Sequence, residues 1–129
     1  MRKEVELWFK QGLKDLEVAE KLFEDREFYA MSFFCHQAIE KVLKAAIIEL
    51  KKISPEKEHN LRKLFVTLDI PNKEILESVI AINPQYIISR YPDAASGLPY
   101  EQYTEEQAKE ILHKAKEVIE WVKEKLKQR

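Results

Sequence analysis

Phe28-Tyr29-Ala30-Met31-Ser32-Phe33-Phe34-Cys35-His36-Gln37-Ala38-Ile39-Glu40-Lys41-Val42-Leu43-Lys44-Ala45-Ala46-Ile47-Ile48-Glu49-Leu50-Lys51 reads as one helix, from residue 28 to about 51. At about 100° per residue, Cys35, Ala38, Ile39, Val42, Ala45 and Ala46 share one flank. Phe33, Phe34, Leu43, Ile47 and Ile48 make much of the remaining circumference apolar. A helix that is apolar nearly all round is central and buried. Yet His36, Gln37, Glu40, Lys41 and Lys44 fall within an arc of about 140°. Polar groups on such a helix need partners, water or a ligand. Interhelical salt bridges would meet that need. So would a site where the arc faces a groove or a partner subunit.

On the N-terminal side, Val5, Trp8, Phe9, Gly12, Leu16, Ala19 and Phe23 recur at spacings of three and four, which predicts a helix over residues 2 to about 24. Glu6–Lys10 and Glu17–Lys21 support it as i,i+4 pairs. On the C-terminal side, Ser54-Pro55-Glu56 has the form of a helix start, although 54–60 could equally be mostly loop. Leu61, Leu64, Phe65 and Leu68 suggest a short helix ended by Pro71. Asn72 can cap the next helix, with Ile75, Leu76, Val79 and Ile82 facing inward until Pro84 interrupts. Thr104 and Gln107 form a capping box that opens a last helix to about residue 127. Between these, residues 85–103 read as a long loop holding Tyr86, Tyr91, Tyr100 and Tyr103, and such a loop is functional or mobile. No convincing strand appears, and short connections favour antiparallel neighbours. The fold class is therefore all-α, an up-down bundle of four to five helices.

Composition agrees and excludes several functions. The chain has 129 residues, 35% of them charged, with only two glycines and five prolines. One domain over residues 1–129 is expected at that length. The shortage of glycine disfavours turn-rich β folds and Gly-rich phosphate loops. Lys and Arg number 22 against 23 Asp and Glu, so no global pull on nucleic acid or acidic membrane is expected, though a local basic patch is compatible with this. Most of the charge is Glu and Lys, a balance that also suits proteins from hot environments. The lone Cys35 makes neither an internal disulfide nor a zinc site, and its apolar flank points to a packed thiol. Met1-Arg2-Lys3-Glu4 opens straight into an amphipathic pattern and no apolar run is long enough to span a membrane, so the cytoplasm is the expected location. No P-loop, zinc-protease motif or nucleophile elbow occurs.

Besides the polar arc, two patches could carry chemistry. His59-Asn60-Leu61 offers an imidazole that could hold a base, a phosphate or a proton, or could simply bond to a nearby carboxylate. Arg90-Tyr91-Pro92-Asp93 offers a guanidinium fork for phosphate and a ring for stacking, or an Arg90–Asp93 pair that pins the loop. His113 reads as a surface residue.

Phe33-Phe34-Cys35-His36-Gln37-Ala38-Ile39-Glu40-Lys41-Val42-Leu43-Lys44-Ala45, His59-Asn60-Leu61, Ser89-Arg90-Tyr91-Pro92-Asp93 and Tyr103-Thr104-Glu105-Glu106-Gln107-Ala108 together resemble the HEPN domain family (higher eukaryotes and prokaryotes nucleotide-binding). The likeness runs in the family's order over essentially the whole chain. His59-Asn60-Leu61 stands where the family has His-Asp-Leu. The resemblance implies a helical bundle like the substrate-binding domain of nucleotidyltransferases, usually a homodimer. It implies the stand-alone bacterial and archaeal form, often encoded beside a minimal nucleotidyltransferase. Such pairs resemble split aminoglycoside nucleotidyltransferases, and several act as toxin–antitoxin modules. In them the helical partner binds substrate or nucleotide, or cleaves RNA as the toxin.

One departure bears on activity. RNA-cleaving members carry Arg and, after four to six residues, His on the helix before the last. Tyr-Pro-Asp-Ala-Ala-Ser-Gly follows Arg90, and Arg62 has no His at that spacing either. Without metal, RNA cleavage needs a proton-transfer group at the 2′-hydroxyl, so His36 or His59 would have to substitute. The same gap removes the Arg-x4-His-x-Tyr pattern for adenylylation by the partner. The expectation is a nucleotide- or phosphate-binding module that is not catalytic alone, with no metal and no resident cofactor. His36, Lys41, Lys44, His59, Arg90 and Tyr91 would line its pocket. The alternatives are an RNA-cleaving toxin using a non-standard His site and a non-catalytic dimeric scaffold.

Overall fold

The second helix is the axis of the molecule, as its apolar circumference requires. In the computed structural model, which describes residues 2–55 and 57–128, α2 (Phe28–Lys51) packs against four other helices of eight or more residues. These are α1 (Lys3–Glu24), α3 (Leu61–Leu68), α4 (Lys73–Ile82) and α7 (Glu105–Lys127). Among the described residues there is no strand, and the fold is the all-helical one expected. Met31, Ile39, Leu43 and Ile47 of α2 are fully buried with Leu61, Leu68, Ile82 and Ile119. Gly12 lets α1 approach closely, since a Cβ there would lie 2.8 Å from Val42 Cγ1 and 3.0 Å from the Ala38 carbonyl oxygen.

The helix ends follow local chemistry. Asn60 caps α3 by accepting from the Lys63 N–H, and Asn72 caps α4 by accepting from Ile75 N–H. At α7 the Thr104 hydroxyl oxygen accepts from Gln107 N–H at 3.1 Å while Gln107 Oε1 accepts from Thr104 N–H at 3.0 Å. Ser54 and Pro55 do not start a helix; the described residues from Ser54 to Asn60 are loop, and Glu56 lies outside the described residues. The helix start falls at Asn60 instead, whose side chain supplies the missing acceptor.

Residues 85–103 differ from the long loop expected. They wind into two single turns, α5 (Gln85–Ile88) and α6 (Pro92–Ala95), and a 3-10 turn (Pro99–Glu101). Each begins at a proline: Pro84 precedes α5, and Pro92 and Pro99 open the other two. Proline's fixed φ suits a first turn but stops the one before it, which gives turns too short to show a period. Ser96 at φ 58° ends α6. The result is a folded strap that sets Tyr86 and Arg90 against α2.

Candidate functional site

Glu40 is the anchor. It sits about one turn from His36 on one side and from Lys44 on the other along α2, and its side chain is only 5% exposed. Lys44 Nζ donates to Glu40 Oε2 at 3.1 Å, and His59, from the loop ahead of α3, places Nδ1 2.9 Å from Oε1. A buried carboxylate is tolerated when it is paired in this way. An ionised carboxylate only accepts, so His59 Nδ1 carries the proton of this hydrogen bond. Its Nε2 makes no hydrogen bond among the described residues, and the side chain is 47% exposed.

His36 lies behind this pair and is fully buried. Burial, above all, pushes its pKa down to about 4, against a favourable pull from Glu40. Its Nδ1 is 4.0 Å from Glu40 Oε1 and 3.3 Å from Gln37 Nε2. The His59 backbone also favours the charged form, but among the described residues no hydrogen bond of normal geometry reaches Nε2. His36 is therefore neutral near pH 7. Its unfolded-state pKa is about 6.5, so as pH falls below that value the unfolded chain takes up a proton that the folded one refuses. Stability should drop by roughly 2 kcal/mol between pH 7 and pH 5 from this residue. Urea unfolding of His36→Leu should show a pH 7 to pH 5 difference smaller by that amount; an unchanged difference would refute the assignment.

Tyr86 brings the rest together. Its ring stacks on His59 with centroids 4.4 Å apart and planes 14° apart, and lies 5.1 Å from His36 and 6.2 Å from Phe33. Arg90, one turn on, folds its guanidinium over the same ring at 4.4 Å, over Phe33 at 4.7 Å and over Tyr91 at 5.0 Å. Arg90 Nε donates to the Tyr86 carbonyl at 2.7 Å. The terminal nitrogens make no hydrogen bond among the described residues, and Arg90 is exposed. Asp93 does not pair with it; its carboxylate accepts from Ala94 N–H at 3.0 Å. The loop-pinning ion pair that the sequence allowed is not formed.

Four of the six residues expected at the pocket thus gather on Tyr86 and Arg90: His36, His59, Arg90 itself and Tyr91. Lys44 reaches the cluster from inside, on Glu40 and 5.2 Å from the Trp8 ring. Lys41 does not join it. Its ammonium is 2.5 Å from buried Asp15 on α1, which also accepts from Gln11 at 3.0 Å, so Lys41 forms the interhelical salt bridge held open as the alternative. Sequence reasoning put Glu40 in the polar arc but did not count it, Tyr86 or Phe33 among the residues of the site. The available signal was spacing: Glu40 is four residues from both His36 and Lys44, and Tyr86 is four before Arg90. Cys35 is buried with its thiol pushed up to about 12 by that burial, which makes it a packing group. Among the described residues no three His, Cys, Asp or Glu are grouped to hold a metal ion. Beside the site, a cavity of about 670 Å³ is lined by Ile47, Ile53, Arg62, Leu64 and Thr67 among others, with none of Arg90, His59 or Tyr86 in its wall.

The model of the HEPN domain matches residues 5–125. The chain belongs to the HEPN domain family. A relative of this HEPN chain is the protein named "Putative toxin MJ1304" of Methanocaldococcus jannaschii, 29% identical over an alignment 140 positions long that covers 98% of this chain and 91% of that protein. Solved structures are similar as well. TT1696 from Thermus thermophilus is 25% identical with a TM-score of 0.85, over 96% of this chain and 99% of that one. ST0689, described as an archaeal HEPN homologue, is 33% identical with a TM-score of 0.80, over 97% and 98%. No described helix of this HEPN protein is long and apolar enough to cross a membrane.

Proposed function

We propose that this protein, a single HEPN domain over residues 1–129, binds the phosphates of a nucleotide at Arg90. The carrying observation is a guanidinium fixed over three aromatic rings with its terminal nitrogens unengaged among the described residues. Such a fork is pre-organised for a planar, bidentate grip on phosphate oxygens. Tyr91, 46% exposed beside it, is the ring on which a base would stack. The module acts as a cytoplasmic homodimer with a minimal nucleotidyltransferase as partner, in the setting of a toxin–antitoxin pair. The family membership and the toxin-named relative support that setting. Calorimetric titration with ATP tests the binding reading. Measurable heat with saturation is expected, and no binding up to millimolar ATP would overturn it.

A second reading has its own observation. His59, backed by Glu40 with Nε2 open, has the form of a general base that could take the proton of a ribose 2′-hydroxyl. RNA cleaved by the purified protein and spared by His59→Ala would establish it; RNA left intact by the wild type would dismiss it.

A further inference from the structure

We infer that Glu40 aligns His59 as the second phosphate contact of the Arg90 site, so that the site prefers nucleoside di- and triphosphates and takes up a proton when one binds. The inference rests on the nucleotide-binding reading above. His59 and Arg90 each lie 4.4 Å from the centre of one ring, Tyr86, so they are separated by at most twice that distance. Neighbouring phosphates of one polyphosphate chain span a separation of that order, whereas a lone phosphate on Arg90 leaves His59 with nothing to hold.

The proton follows from the charges around His59. From α2 it faces the carboxylate of Glu40, the ammonium of Lys44 and the neutral ring of His36. From the strap it faces the phenol of Tyr86 and the guanidinium of Arg90. On its own side of the fold, Glu58 is 3.9 Å from Lys63 and accepts from Asn60 N–H. Glu40 is shared with Lys44, so its negative charge is already balanced within the protein. A polyphosphate adds negative charge to the site. With Nδ1–H held by Glu40, a proton taken up at Nε2 points the new donor away from the carboxylate and toward the ligand. Histidine's ordinary range lies where such a change happens near neutral pH.

The test is calorimetry with ATP and with AMP at pH 6, 7 and 8, each in two buffers of different ionisation enthalpy. Wild type and His59→Gln, a change at a half-exposed position, are compared. The difference between the proteins cancels the titration of the terminal phosphate itself. Wild type is expected to take up more proton than His59→Gln on binding ATP. Its ATP affinity should gain about threefold to tenfold relative to the variant from pH 8 to pH 6. Its preference for ATP over AMP should shrink in His59→Gln. The double variant Glu40→Gln/Lys44→Met, which removes the buried pair together, should lose the excess proton uptake as well. Equal proton uptake and equal ATP-over-AMP preference in wild type and His59→Gln would overturn the inference while leaving nucleotide binding intact. Absence of ATP binding by wild type would overturn the nucleotide reading itself.

Discussion

Glu40→Ala is expected to destabilise the protein by roughly 3–5 kcal/mol, the largest single-residue effect in the site. The reason lies in what remains after the change. Lys44 is 6% exposed and has Glu40 as its counter-charge, with only the Trp8 ring, 5.2 Å away, as further support among the described residues. Removing the carboxylate strands an ammonium in the interior, and a stranded charge costs more than the pair was worth. His59 loses its anchor at the same time. For a chain of this length the loss corresponds to a fall in Tm of roughly 10–20 °C. Glu40→Leu/Lys44→Met removes both charges and should recover most of it, because an apolar pair of similar volume is often neutral or better. Thermal and urea unfolding of the two variants check this. A loss below about 1 kcal/mol in the single variant would mean that solvent reaches Lys44 freely.

Arg90→Ala should leave the fold nearly unchanged and weaken ATP binding by about 10- to 100-fold, the worth of one charge-assisted contact. Arg90 is exposed and its only protein hydrogen bond among the described residues is to the carbonyl of Tyr86, so little stability is at stake. Arg90→Lys should recover only part of the affinity. A lysine keeps the charge but not the fork, and it stacks less well over Phe33, Tyr86 and Tyr91. Full affinity in Arg90→Ala, measured by the same titration, would move the phosphate site elsewhere.

The helices are legible in sequence because local rules and global packing agree there. Asn72 and Thr104 cap the helices that their positions suggest, and the all-round apolar pattern of α2 does correspond to the central helix. The strap is illegible for a physical reason. Turns of four residues have no period to read, and Pro84, Pro92 and Pro99 look like loop residues although each starts a turn.

The site shows the same division. His36, His59, Arg90 and Tyr91 stand out by residue type. Whether Lys41 faces a ligand or a neighbouring helix depends on Asp15, 26 residues away, and that pairing exists only in three dimensions. Tyr86 is one of four tyrosines in its segment, and nothing local separates the ring that stacks on His59 from Tyr100, which is 63% exposed.

The most direct measurement of the central claim is residue-resolved NMR of the labelled protein titrated with ATP. Shifts are expected at the backbone and side chains of Phe33, His59, Tyr86, Arg90 and Tyr91, with the Arg90 guanidinium and His59 imidazole signals moving most. Shifts gathered instead around Ile53, Arg62 and Thr67, in the neighbouring cavity, or no shifts at all, would contradict the assignment of the phosphate site to Arg90.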